Sequence, residues 1–210
     1  KSKKKCSITI VSIFINKPQF NKKNDYKKYP RVLKNDILVL KKLNVDFLYI
    51  PKEKEIYPNG TNKKIKINSF QNKLCGKYRP GHFKAVVDVI DRFLKIIKPK
   101  KIFLGEKDKQ QLELVKDFVN KKYKNIQVVG CKTVRERNGI AYSSRNALLT
   151  TKEKIIASKI YKLLLKKKFF LIKNRNRTKV LINIIKKIGV KSVDYLKIID
   201  VNNIIQKNKK

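Results

Sequence analysis

The stretch KIFLGEKDKQQ, residues 101–111, restricts the fold more than any other part of the chain. Ile102, Phe103 and Leu104 make a short apolar run that stops at Gly105. From about Gln110 a helical period begins, with Leu112, Val115 and Val119 at i, i+3 and i+7. Strand, tight loop and helix in that order leave the free N–H groups of the helix start above the carboxyl end of the strand, where the positive end of the helix dipole attracts an anion. Phosphate is the usual occupant of such a junction. Glu106, Lys107 and Asp108 add one cation for phosphate oxygens and two carboxylates that can order the loop, cap the helix or hold a metal ion. The competing reading of the same residues is a solvated loop capped by Asp108.

The flanking sequence repeats the alternation of strand and helix. Residues 7–16, SITIVSIFIN, form an almost unbroken apolar, β-branched run, as expected for a strand buried on both faces of a parallel sheet. The run ends in Asn16-Lys17-Pro18-Gln19, where the proline stops the ladder and two amide side chains stand at the carboxyl end. A polar loop closes with Tyr29-Pro30-Arg31. Leu33, Ile37 and Leu40 then predict a helix over 32–43, which Asn44 ends in a left-handed conformation. Residues 45–50 read as a second strand, stopped by Pro51. Residues 51–81 have no sustained period and carry turn signals at Pro58-Asn59-Gly60 and Arg79-Pro80-Gly81. A loop of that length inside a domain usually serves or covers a site. A helix over 82–98 presents Phe83, Val86, Val87, Ile90, Leu94 and Ile97 on one face and is stopped by Pro99, and 125–134 forms another strand. This order predicts an α/β protein with a doubly wound, mostly parallel, Rossmann-like sheet and right-handed crossovers. Such sheets bind ligands beyond the carboxyl ends of their strands, where Asn16, Gln19, Gly105, Glu106, Lys107 and Asp108 fall.

From Thr133 the character changes. Residues 133–146, TVRERNGIAYSSRN, turn at Asn138-Gly139 and then bring two hydroxyls and an arginine in succession. Thr150 with Glu153 makes a capping box for a helix carrying Ile156, Ile160 and Leu164. Residues 175–177 read as a turn, 178–188 as a helix ended by Gly189, and 192–199 as a strand. With no later partner for that strand, the natural chain is expected to continue. The division is therefore a first domain over 1–132 and a smaller α+β domain over 133–210.

Composition narrows the function. A chain of 210 residues with 41% hydrophobic residues can bury a real core. A net charge of +40, from 55 basic and 15 acidic residues, invites a nucleic-acid partner. Only eight of the basic residues are arginine, however, and specific readers rely on the guanidinium fork. Lysine spread through nearly every polar position describes a solvated surface, so no specific nucleic acid is expected, only non-specific, salt-sensitive binding. Cys6, Cys75 and Cys131 are odd in number, share no C-x-x-C spacing and meet a single histidine, His82. They read as reduced thiols of a cytoplasmic protein with no zinc site. No apolar run approaches the length of a membrane span.

Taken together, the motifs resemble those of the pantothenate synthetase family, ATP-dependent ligases that join pantoate to β-alanine. SIFINKPQF is similar to the family's SIFVNPxQF, and YPR with Asp36 to its YPRxxxxD. YRPGHF resembles RPxHF, FLGEKDKQQL resembles FFGEKDxQQL, TVRERNGIAYSSRN resembles TVREADGLAMSSRN, and VDYLKIID resembles VDYLELxD. The resemblance implies a nucleotidyltransferase-type Rossmann domain carrying a smaller C-terminal lid. It implies an ATP site lined by Gly105, Glu106, Lys107 and Asp108, with Lys107 on the phosphates and Val134 at the adenine. Tyr142, Ser143, Ser144 and Arg145 would bring the lid's hydroxyls and guanidinium to the triphosphate. Gln19 and Gln111 would hold pantoate, with Asn16 a further candidate, and Asp36, beside Asn35, would help hold Mg²⁺. Lys107 and Arg145 would be the catalytic cations. The product would be pantothenate, formed through pantoyl adenylate with release of pyrophosphate and AMP. A homodimer is implied as well.

The departures from the family pattern set further expectations. A phosphate-binding signature with two histidines, PTMGxLHxGH, belongs before the SIFVN strand, and nothing like it precedes Ser12. With no methionine anywhere and a basic start leading directly into a strand, the chain is expected to be a fragment that is incomplete for catalysis. Lys17-Pro18 replaces the family's proline followed by a variable residue, Tyr142 replaces a usual Met or Leu, and Asn35 stands where an acid is common. The alternatives are an inactive or divergent nucleotidyltransferase-type homologue and a basic nucleic-acid-binding module. His82 is either ligand-facing or packed at a helix start. Tyr29 and Arg79 read as loop anchors or pocket walls, Arg175 and Arg177 as a solvated turn, and Arg135 and Glu136 as ordering the domain junction.

Overall fold

In the computed structural model, which describes residues 1–174, 177–200 and 205, the first apolar run forms a short strand, β1 (Ile10–Ser12). Helices α1 (Lys23–Lys28) and α2 (Leu33–Lys42) cross to β2 (Phe47–Tyr49), and α3 (Glu53–Ile56) and α4 (Cys75–Tyr78) interrupt the following loop. Helix α5 (His82–Ile97) leads to β3 (Lys101–Gly105), α6 (Lys109–Lys122) and β4 (Gln127–Cys131). Then come α7 (Thr151–Lys173) and α8 (Thr178–Lys187). The chain divides into two compact units, Lys1–Lys132 and Thr133–Lys210.

Both strand pairs are parallel, with helices on the crossovers. β1 pairs with β2, Ile10 opposite Phe47 and Ser12 opposite Tyr49, and β3 pairs with β4, Lys101 opposite Gln127 and Gly105 opposite Cys131. One continuous sheet was the expectation from element order. Among the described residues the strands instead form two two-stranded ribbons, and no ladder joins β1 to β3. The apolar run at 7–16 is much longer than β1 because strand length depends on the partner edge as well as on β-propensity.

Helix α5 holds the two ribbons in one core. It starts after Gly81 (φ 76) and ends where Lys98 turns left-handed (φ 49) in front of Pro99. Val86, Val87 and Leu94 pack with Val115 and Val119 of α6 against Ile102, Leu104 and Val128 of the β3–β4 ribbon. Val89 packs with Ile56 and Tyr57, against Phe14, Tyr49 and Phe93, on the side of β1–β2. Ile90 touches both clusters. Each such side chain, fully buried, stabilises the fold by about 1.5–3 kcal/mol. Ile56, Tyr57, Ile65 and Phe70, from the loop that showed no periodicity, are all core residues.

The second tie between α5 and α6 is ionic. The Asp91 side chain is 2% exposed, and its carboxylate accepts from Lys122 Nζ at 2.7 and 2.9 Å and from Tyr123 Oη at 2.6 Å, with Lys95 Nζ at 3.1 Å. Burial pushes the carboxyl upward, and these hydrogen bonds more than reverse that, holding it below the ordinary carboxylate value. The Tyr123 phenol is raised by the same burial and by the carboxylate it donates to.

In the second unit, Leu171 of α7 and Leu181 and Ile185 of α8 form a small core. The capping box at the start of α7 is reciprocal: Thr150 Oγ1 accepts from Glu153 N at 3.3 Å, and Glu153 Oε2 accepts from Thr150 N at 2.8 Å. The strand expected at 192–199 does not form. Val193, Leu196 and Ile198 pack on the α7–α8 core as unpaired chain, since no described strand offers them an edge. Arg175 and Asn176, part of the expected turn at 175–177, lie outside the described residues, and Arg177 directly precedes α8.

The Asp91 cluster makes stability pH-dependent. Its folded carboxyl titrates below its unfolded value, so the stabilisation is fully present above the unfolded value of about 4 and is lost as pH falls through the folded one. Asp91→Asn is expected to cost about 2–3 kcal/mol at pH 7. Urea titrations of both proteins should find that deficit shrinking below about pH 4.

Candidate active site

The strand, loop and helix read at 101–111 is present. β3 ends at Gly105, one 3₁₀ turn spans Glu106–Asp108, and α6 begins at Lys109. Asp108 occupies the N-cap position, but its side chain makes no capping bond, which removes the main support for a purely structural reading of the loop. Gly105 has φ −73 and ψ 134, a conformation open to any residue, and no atom lies within 4 Å of the position a Cβ would take. Neither backbone nor packing requires glycine here. Its missing side chain leaves open space at the end of the strand. Lys107 is exposed and, among the described residues, pairs only with Asp108 Oδ2, at 3.6 Å, a loose surface pair that costs little to break. Glu106 folds over β4, where Gly130 makes room: a Cβ there would stand 3.0 Å from Glu106 Oε1.

The two adjacent glutamines that open α6 differ in what they hold. Gln110 is a staple: Oε1 accepts from Cys75 N at 3.1 Å, while Nε2 donates to Phe70 O at 3.0 Å and Lys73 O at 2.7 Å. It spans a kink at Leu74, whose φ is 49. Gln111 is half-buried and its amide makes no side-chain hydrogen bond among the described residues. Sequence reasoning singled out Gln111 and missed Gln110, whose partners lie 35 to 40 residues away.

Gln19 sits in a second group, at the start of α5. The Lys17-Pro18 order builds a 3₁₀ turn, Lys17–Gln19, with Pro18 inside it. The Gln19 carbonyl lies 2.8 Å from His82 Nδ1, which must carry the proton because a carbonyl only accepts. His82 is thus buried and structural, with its ring edge-on to Phe83 at 5.0 Å. Asn16, the further candidate for pantoate, is 3% exposed, and its amide hydrogen-bonds with Ala85 O (3.1 Å), Gln19 Oε1 (3.4 Å) and Tyr57 Oη (2.7 Å), which suits it to hold Gln19. Tyr29 anchors its loop edge-on to Phe20 at 5.5 Å.

Asp36 lies half-buried in the first turn of α2, where its charge favours the helix dipole, and Asn35 beside it is exposed. No group of three or more His, Cys, Asp or Glu side chains among the described residues is arranged to hold a metal ion. Mg²⁺ beside a nucleotide is held by one or two carboxylates together with phosphate oxygens and waters, and Asp36 is a single carboxylate of that kind.

In the second unit, residues 134–142 form a hairpin. Arg135 bridges antiparallel to Ala141, and Tyr142 N donates to Val134 O at 3.1 Å. Val134 and Tyr142, 68% and 60% exposed, are therefore neighbours, an apolar and an aromatic side chain with open faces. Gly139 (φ 92) closes the turn, and a Cβ on it would meet the Tyr161 ring at 2.2 Å. Arg135 stacks on that ring at 4.0 Å. Ser143 Oγ accepts from Arg145 N at 3.3 Å and opens the 3₁₀ helix Ser144–Leu148. Glu136 braces it, its carboxylate accepting from Asn146 Nδ2 at 3.1 Å and Asn138 Nδ2 at 3.2 Å. Arg135 and Glu136 thus order the hairpin itself, and the segment bearing Ser143, Ser144 and Arg145 is held from both ends.

Parallel ribbons joined by helices, with a glycine-ended strand running through a charged turn into a helix start, define an α/β protein of the nucleotidyltransferase type. The pantoate-beta-alanine ligase family model matches residues 1–210. The chain belongs to that family. The pantothenate synthetase of Francisella tularensis subsp. novicida (strain U112) is 44% identical over 165 residues, 78% of this chain and 63% of the relative, and that of Francisella philomiragia subsp. philomiragia has the same values. The chain thus spans less than two thirds of the length of these curated relatives. Among solved structures, the pantoate-beta-alanine ligase of Francisella tularensis, complexed with beta-gamma ATP and beta-alanine, has a TM-score of 0.86 at 40% identity, over 94% of this chain and 74% of that one. The pantothenate synthetase of Thermus thermophilus gives 0.85 at 30% identity, over 97% and 75%.

The glutamine pair yields a direct test. Gln110→Ala leaves a backbone donor and two carbonyls without their partner and is expected to destabilise by about 1–3 kcal/mol. Gln111→Ala should change urea stability by less than about 0.5 kcal/mol.

Proposed function

We propose that the protein works in the ATP-dependent ligation of pantoate to β-alanine, giving pantothenate, AMP and pyrophosphate through pantoyl adenylate. The observation that carries this is the open junction at Gly105 and Lys107, next to a glutamine whose amide is uncommitted. Family membership and the ligands of the Francisella tularensis structure support the reading.

The chemistry follows from the charges. Pantoate's carboxylate must approach the α-phosphorus of ATP, and two anions repel unless cations neutralise the phosphates. Lys107, at the end of β3, and Arg145, in the braced 3₁₀ segment, supply fixed positive charge where negative charge accumulates. The first-turn N–H groups of α6 add the positive end of a helix dipole. Gln19 and Gln111 are neutral amides, suited to hydroxyl and carboxylate oxygens without adding to the charge. Val134 and Tyr142 offer the apolar faces against which adenine would pack. The mixed anhydride formed in the first step is open to hydrolysis, so in this proposal Thr133–Lys210 acts as a lid that excludes water until the amine of β-alanine attacks. A cytoplasmic homodimer belongs to the same proposal, with sedimentation as its check. The chain spans less than two thirds of the length of its curated relatives, so activity is read on the product of the complete reading frame.

AMP formation there should require pantoate and β-alanine together. Lys107→Ala and Arg145→Ala are each expected to lower kcat by about 10²–10³ with the urea midpoint unmoved, and retained turnover in both would overturn the phosphate clamp. Gly105→Ala fits the backbone and meets no protein atom. It should leave stability within about 0.5 kcal/mol of the parent and raise KM for ATP.

A further inference from the structure

The hydrogen bonds around Asn16 have a direction. The Ala85 carbonyl can only accept, so the Asn16 atom 3.1 Å from it is Nδ2. Oδ1 then faces Tyr57, whose hydroxyl donates to it at 2.7 Å, and the other Nδ2 proton faces Gln19, 3.4 Å from Oε1. The far end of the Gln19 amide is consequently Nε2, a group that only donates.

One face of α5 supports the whole series. His82, Ala85, Asp88 and Arg92 follow at intervals of three, three and four residues, so their side chains and carbonyls line one side. His82 holds the Gln19 backbone carbonyl, and Ala85 orients Asn16. Asp88 holds Arg92 at 2.9 Å, and the Arg92 guanidinium stacks on the Tyr57 ring at 4.6 Å while donating to Ile56 O at 2.6 Å. Tyr57 and Asn16 are 8% and 3% exposed, so water does not substitute for either partner. Burial, with the charge of Asp88, raises the Tyr57 phenol to about 12, which keeps it a donor at neutral pH.

We propose that Tyr57 is a positioning residue that acts through Asn16 to set the polarity of the Gln19 amide, so that this part of the site takes a ligand oxygen, hydroxyl or carboxylate, and discriminates against a ligand N–H donor. The proposal rests on the reading of Gln19 as a pantoate contact. Without the Tyr57 hydroxyl, Asn16 Oδ1 becomes a buried acceptor with no donor, an expensive state that pulls the side chain out of register with Ala85 O and Gln19 Oε1. The polarity of Gln19 is then no longer enforced.

The test uses Tyr57→Phe in the full-length gene product, which keeps the ring under Arg92 and removes only the donor. KM for pantoate is expected to rise about 10-fold, the equivalent of one neutral hydrogen bond, with KM for ATP unchanged. Tyr49→Phe, which removes a hydroxyl from the same hydrophobic cluster, should alter neither. Side-chain amide resonances of Asn16 and Gln19 should shift in Tyr57→Phe alone. An unchanged pantoate KM, or an equal rise in KM for pantoate and ATP, overturns the proposal. If wild-type protein shows no pantoate dependence while the amide resonances still move in Tyr57→Phe, the relay stands and the pantoate reading fails.

Discussion

Ile90 packs against both hydrophobic clusters of the first unit, and helix α5 around it is the constraint on which the rest depends. The two ribbons share no ladder among the described residues, so what holds β1–β2 and β3–β4 in one core is the side-chain packing of that helix. The same helix carries a polar series, from His82 through Ala85 and Asp88 to Arg92, that sets the turn bearing Gln19 and the Tyr57 ring. Packing and site geometry are therefore coupled. A shift of α5 would loosen the core and misdirect the amide at once.

The charge balance explains how a chain of +40 tolerates buried acids. Asp88 and Asp91 are both nearly inaccessible, and each is matched: Asp88 by Arg92 and the Asn62 N–H, Asp91 by Lys122, Lys95 and Tyr123. A buried carboxylate is costly unless its lone pairs are filled, and a surface so rich in lysine makes partners easy to recruit. The excess lysine itself lies mostly in water. The two cations proposed for the phosphates differ in where the backbone puts them, Lys107 in the 3₁₀ turn that follows β3 and Arg145 in a 3₁₀ turn braced by Glu136.

Four amides could each have been read as ligand contacts from the sequence: Asn16, Gln19, Gln110 and Gln111. Their fates differ for a reason that sequence does not carry. Gln110 and Asn16 are spent on carbonyls, an N–H and a hydroxyl contributed by residues 35 to 69 positions away, while Gln19 and Gln111 keep hydrogen-bonding capacity. Tyr57, in a loop with no periodicity, had no signal that would mark it as part of the Gln19 support. The motif GEKDKQQ was legible as a strand-to-helix junction because its evidence is local, a glycine after an apolar run and a helical period directly behind it.

By itself the sequence determined what depends on neighbours a few residues apart. The helix at 82–97, the left-handed Asn44, the reciprocal Thr150–Glu153 cap and the junction at Gly105 all follow from backbone sterics, capping and periodicity. Tertiary structure decided which strands pair, how much of the run at 7–16 becomes strand, and that 192–199 packs without pairing. It also decided which amides are free. Those outcomes turn on edges and hydrogen-bond partners brought from distant parts of the chain, and no local pattern of residues records who the partner will be.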